Sequence, residues 1–232
     1  MKKREFGEGP IYVLTNYIFW FLLGNIYFLL LNIPFIFVFT LYLMNPVEGY
    51  TFLFFLSSIP IGPAFLALLS TMGKIVREKD VNLTSHFFGA YKKNFFEGIF
   101  YWILFILFIM IVYFDLLFVN SNYSSAILTR VVQILGLFVI AFGLFVFPIV
   151  SRFYFRAKDT LKIAIKYFVK KVHIAITNVV IAGGLVYLAF KINILIIFIF
   201  SIIAYCIMFL QNPVLQEIED SIENKENKGN KE

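Results

Sequence analysis

Apolar residues come in six long runs separated by short polar stretches. A bilayer core about 30 Å thick takes about 20 apolar residues per helical span, so this pattern predicts six membrane-crossing helices. Their expected ranges are about 17–44, 51–73, 96–119, 126–150, 174–190 and 194–210. The first run is long enough to tilt, to enter the interface or to bend at Pro34, and Asn45, Pro46, Glu48 and Gly49 make the turn after it. Within the second, Ile59-Pro60-Ile61-Gly62-Pro63-Ala64 holds two prolines that cannot donate backbone hydrogen bonds, which should break the helix into halves. The amides of Gly62, Ala64 and Phe65 would then point to the midplane, with Pro63 as the first residue of the second half. Lys191-Ile192-Asn193 turns the fifth span sharply into the sixth. Gln211-Asn212-Pro213 should stop the sixth helix, leaving 213–232 as a polar tail that frays and then loses order.

Two linkers carry a different period. Leu83 to Asn94 reads as a short interfacial helix with Phe87, Phe88 and Tyr91 beside Lys92 and Lys93. Between Arg152 and Lys171, Lys158, Lys162, Lys166 and Lys170 recur at i+4 on one face and Leu161, Ile165 and Phe168 occupy another. This predicts a second interfacial amphipathic helix, with Asp159 and Thr160 as N-cap. The two linkers suggest a faint internal repeat, each following a proline-bearing span and closing on Tyr91-Lys92-Lys93 or Tyr167-Phe168-Val169-Lys170-Lys171, although the connections differ in length. The expected fold is all-α: a polytopic membrane bundle of six transmembrane helices plus two cytoplasmic interfacial helices.

Charge orients this bundle. Only 15% of the 232 residues are charged, against about 25% in a soluble domain, and 61% are hydrophobic. Of 20 Lys and Arg, only Arg130 and Lys191 lie outside the N-terminus, the linkers after spans two and four, and the tail. The positive-inside rule then puts both termini in the cytoplasm and the chain in the cytoplasmic membrane. The Lys2-Lys3-Arg4 start resembles a signal-peptide n-region, but the apolar stretch behind it is too long and lacks a small-residue cleavage site, so it should stay as the first span.

Candidate chemistry is sparse. One cysteine, Cys206, excludes an intramolecular disulfide, and with His86 and His173 as the only histidines no metal or haem site is expected. No phosphate-binding glycine loop, nucleophile elbow or metalloprotease motif is present, which argues against an enzyme and supplies neither cofactor nor catalytic residue. Asp115 is the one carboxylate well inside an apolar run: either an ion or proton relay, or a structural pair with Arg130 near the outer end, the reading we favour. With Asn25, Asn32 and Gly62 it forms a candidate intramembrane polar site. The alternative is that the amides join helices and the proline break is a kink, its carbonyls satisfied by neighbours or by Ser57 and Ser58. Gly136 with Gly143, and Ala175 with Ala182, suit close helix contacts. At the cytoplasmic face, Lys92, Lys93, Arg152, Arg156, Lys162, Lys166 and Lys170 are the candidate docking residues. Anionic membrane lipid is their default partner, a cytoplasmic protein the other, and nucleic acid is not expected.

The segments Pro60-Ile61-Gly62-Pro63-Ala64, Lys74-Ile75-Val76-Arg77-Glu78, Phe87-Phe88-Gly89-Ala90-Tyr91-Lys92-Lys93-Asn94-Phe95 and Tyr113-Phe114-Asp115, together with Asn25, resemble in order and spacing the YesL-like membrane proteins of Gram-positive bacteria. Lys74 to Lys79 lacks the tryptophan common there, and the second half of the chain matches only in general character. The resemblance implies a small polytopic protein of the cytoplasmic membrane without assigned activity. It further implies an accessory role in carbohydrate use, with a sugar ABC importer as partner. It carries over no catalytic residue. A small-solute carrier with a midplane site at the broken second span is the alternative.

Overall fold

The computed structural model describes residues 10–44, 50–78, 81–123 and 125–229, so the basic N-terminus and the turn expected at Asn45 to Gly49 lie outside the described residues. All regular structure in them is helical: α1 (Pro10–Leu31), α2 (Ile33–Met44), α3 (Tyr50–Ser58), α4 (Ile61–Glu78), α5 (Leu83–Lys93), α6 (Phe95–Asn122), α7 (Ala126–Arg152), α8 (Ala157–Lys170), α9 (Val172–Lys191) and α10 (Ile199–Gly229). Six stretches are long and apolar enough to cross a membrane: Tyr12–Leu31, Phe52–Glu78, Phe95–Asn122, Ala126–Arg152, Val172–Lys191 and Ile199–Asn224. The chain is an all-α polytopic helix bundle, a multi-pass membrane protein.

The first apolar run divides at Asn32. Pro34 offers no N–H to the Leu30 carbonyl, and its ring disfavours helical geometry at Ile33. Asn32 satisfies the carbonyls of the last turn of α1: its N–H donates to the Leu29 carbonyl at 3.0 Å and its Nδ2 to Phe28 O at 2.7 Å. In the second run the break falls at Ile59-Pro60. Pro63 is the third residue of α4, not its first, and the Ala64 amide is spent on Pro60 O at 3.1 Å instead of facing the midplane. Ser57 and Ser58 hydroxyls donate to the Phe54 and Phe55 carbonyls at 3.2 and 2.9 Å, satisfying the end of α3.

Three further expectations need correction. The stop at Gln211-Asn212-Pro213 does not occur, and α10 continues through Pro213 to Gly229. Leu215 and Ile218 beyond the proline are fully buried, and that packing offsets the one backbone bond lost. α8 begins at Ala157 with Arg156 as its cap residue, because 153–156 is not helical; Asp159 sits in the first turn, where its charge suits the helix dipole. The turn after α9 is a short 3-10 helix, Asn193–Ile197.

α4 is the central element, with Leu66, Leu68, Leu69, Met72 and Ile75 fully buried against α1, α5, α6, α7 and α10. Where α4 starts, a Cβ on Gly62 would lie 2.3 Å from Gly98 O, and one on Gly98 2.6 Å from Pro63 Cα, so the two backbones touch. Gly143 and Gly136 of α7 likewise admit Phe105 and Val112 of α6.

The repeat is more regular in space than along the sequence. Four residues separate α4 from α5 and α7 from α8, and one residue, Asn94 or Lys171, joins each amphipathic helix to the next span. Leu83, Phe87, Ala90, Gly98 and Tyr101 are buried, and so are their counterparts 77 residues on: Thr160, Ala164, Tyr167, Ala175 and Asn178. The prolines do not correspond. Pro63 lies in the first turn of α4 and Pro148 in the last of α7.

Candidate functional site at the basic end of the bundle

The four intramembrane candidates lie at separate places. Asn25 is buried in α1 and closes the start of α10: its Oδ1 accepts from the Phe200 N–H at 3.1 Å and its Nδ2 donates to Ile196 O at 3.3 Å. Asn32 serves the α1–α2 junction, and Gly62 is filled by the backbone of α6. Asp115 is exposed on α6 and makes no ion pair among the described residues. The expected pair with Arg130 is therefore absent, and Arg130 donates instead to Gln133 Oε1 at 3.2 Å. Register explains this. Gly136 meets Val112 and Gly143 meets Phe105, which brings Phe118 opposite Arg130 and leaves Asp115 nearly a turn away.

The basic residues do gather. α5 is capped by Asn82, whose Oδ1 accepts from the Ser85 N–H at 3.3 Å, and it packs on α4 and α1 through Leu83, Phe87 and Ala90. Tyr27 of α1 anchors its outer flank, with its hydroxyl 2.8 Å from Thr84 Oγ1 and its ring against Phe87 and Phe88. α8 buries Thr160, Ala164, Tyr167 and Phe168, with Phe168 set edge-on to Phe138, Phe142 and Phe145 of α7. This leaves its lysines outward. Lys92, Arg156, Lys162 and Lys166 are exposed and without ion pairs among the described residues, while Lys93 lies 3.9 Å from the centre of the Tyr154 ring.

Arg152 and Lys170 are not free. The continuation of α10 lies alongside them: Arg152 pairs with Glu219 and donates to Asn212 Oδ1 at 3.5 Å. Glu217 takes Lys170 and, at 3.5 Å, Lys171, and its carbonyl accepts from Tyr167 Oη at 3.4 Å. The Glu217 carboxylate raises the Lys170 pKa above its ordinary value. Glu217 and Glu219 did not stand out in a tail of alternating charge. Their signal was the apolar set Val214, Leu215 and Ile218, at helical spacing within it.

Two cavities adjoin this end. An apolar groove of about 590 Å³ runs between α6, α7 and α8, with Phe105, Phe142, Phe147, Ile165 and Phe168 among its walls, and offers hydrocarbon contact without a polar anchor. A polar cleft of about 440 Å³ opens between α4 and α5, lined by Ser70, Lys74, Asn82, Ser85, His86, Gly89, Ala90, Lys93 and Tyr154. In it His86 Nε2 lies 3.3 Å from Ser70 Oγ. Burial, with Lys74 and Arg77 adding to it, holds the imidazole pKa below its ordinary 6.5, against the opposing pull of the Ser70 contact and Glu78.

A family model described as "Protein of unknown function, DUF624" matches residues 12–116. No curated protein and no solved structure matches the chain. The matched stretch runs from α1 into α6, so it includes α4, α5 and every lining residue of the polar cleft except Tyr154, and stops short of the lysine face of α8.

Proposed function

We propose that this multi-pass membrane protein is a non-enzymatic accessory protein of carbohydrate uptake or utilisation in the cytoplasmic membrane, with both termini cytoplasmic. Its basic end docks an acidic cytoplasmic surface of a sugar ABC importer. The observation that carries the docking is the set Lys92, Arg156, Lys162 and Lys166, exposed and unpaired after the acids of α10 have occupied Arg152 and Lys170. Among the described residues, Glu217 and Glu219 of α10 engage Arg152, Lys170 and Lys171. The carbohydrate context rests on the YesL-like resemblance of the first half, with which a matching family model of unknown function is compatible. Anionic lipid competes for the same face at roughly 1 kcal/mol per basic residue. A carrier with a midplane site draws no support from Asn25, Asn32, Gly62 and Asp115, which lie apart.

Photo-crosslinkers at Lys92 and Lys162 in native membranes, with the inducing sugar present, should recover importer subunits by mass spectrometry. Lys162→Glu with Lys166→Glu should abolish that recovery. Crosslinks to lipid alone would sink the docking reading.

A further inference from the structure

We propose that the polar cleft between α4 and α5 binds the phosphate group of a phosphate-bearing ligand. Its chemistry is one-sided. Two ammonium groups, Lys74 and Lys93, an imidazole and the hydroxyls of Ser70, Ser85 and Tyr154 line it, and among the described residues no carboxylate does. Glu78 pairs with Lys74 at 3.5 Å on the same helix and lies outside the lining. A cation would meet two like charges here, whereas a tetrahedral oxyanion with several acceptor oxygens can take a donor from each wall. Many donors around a small volume suit phosphate better than a carboxylate, which presents only two oxygens. At about 440 Å³ the cleft also has room for a small organic group attached to the phosphate.

The surroundings keep the cleft open. A Cβ built on Gly89 meets nothing within 4 Å, so the α5 wall faces open space. The stacking of Lys93 on Tyr154 fixes one ammonium at the rim, and α8 and the α10 tail contribute nothing to the lining, so the acids that quench Arg152 and Lys170 are not part of it. Burial is the main cause that disfavours protonation of His86, with Lys74 and Arg77 adding to it and Ser70 and Glu78 opposing, and a bound anion would add to the opposing side. This site is separate from the docking surface, sharing only Lys93 with the candidate docking residues, and does not depend on it.

The phosphate can come from a soluble phosphomonoester or from a lipid headgroup, and two arms of one experiment separate these sources. The full chain in phosphatidylcholine nanodiscs is titrated with inorganic phosphate by calorimetry. In parallel, nanodiscs containing some phosphatidic acid are examined for retained lipid by native mass spectrometry. Saturable binding of one equivalent is expected in at least one arm: in the first for a soluble ligand, in the second alone for a headgroup. Lys74→Gln and Lys93→Gln should each weaken it about tenfold, as loss of a charged hydrogen-bond partner does. Gly89→Trp, which fills the cleft without touching a charge, should abolish it, and Lys158→Gln on exposed α8 should leave it unchanged. The proposal falls if neither arm saturates, if Gly89→Trp still binds, or if Lys158→Gln costs as much as Lys74→Gln.

Discussion

Gly98 and Gly89 show how neighbours decide what a glycine is needed for. Gly98 touches the backbone of Pro63, which cannot move as the end of a side chain can, so Gly98→Ala must push α4 and α6 apart. Overpacking of this kind costs about 1–3 kcal/mol. Gly89 faces open space in the middle of α5, so Gly89→Ala should be neutral or stabilising by up to about 1 kcal/mol, because alanine is the better helix former. Unfolding of the two variants in mixed micelles checks the contrast, and equal midpoints would show that the α4–α6 contact is looser than its geometry. At this scale the sequence was least legible. Spacing identified Gly136 and Gly143 as packing residues, which they are, but it could not say that Gly62 meets Gly98, since that pairing depends on how α5 returns the chain to the start of α4.

Pro34 and Pro213 make the limit clear for whole helices. Both remove one N–H from an apolar helical run, and local chemistry treats them alike. α2, which follows the break at Asn32, has no buried residue, so nothing repays an uninterrupted helix there; beyond Pro213, Leu215 and Ile218 are fully buried. Tertiary packing therefore decides which proline breaks its helix. The six spans themselves were legible because hydrocarbon leaves the backbone few options other than a helix. If packing carries α10 through its proline, Ile218→Ala should loosen the extension by about 2–5 kcal/mol. Glu219→Ala should cost less, about 1.5 kcal/mol: Arg152 is left 11% exposed without its counter-charge, but Glu219 was itself 47% exposed and solvent screens the pair. Limited trypsin digestion offers the readout. Cleavage after Arg152 and Arg156 should speed up in both variants, more in Ile218→Ala, and unchanged rates would mean that the extension does not hold the basic linker.

Across the molecule, one building plan is used twice: a helix with a buried C-terminal half, a four-residue link, an amphipathic helix folded against it, and a span that starts one residue later. Each copy carries basic residues at the end of its first helix, Lys74 and Arg77 or Arg152, and on its amphipathic helix, and the proximity of Arg77 to Arg152 brings the two copies' charge to the same end of the bundle. The sequence exposed this as a count of Lys and Arg before any packing was known, because the constraint comes from the membrane and not from side-chain contacts. The α6–α7 turn then belongs to the opposite end, and the charge rule predicts the same side of the membrane for the α9–α10 turn. In a Cys206→Ser background, single cysteines at Lys162, Asn122 and Lys191 test the orientation, all three positions being exposed. A membrane-impermeant maleimide added to intact cells should label cysteines at 122 and 191, and the one at 162 only after permeabilisation. The inverse pattern would reverse the chain in the membrane. It would place the lysine face of α8 outside, where neither a cytoplasmic surface of an importer nor the anionic inner leaflet could meet it, so docking depends on this orientation as much as on the charges themselves.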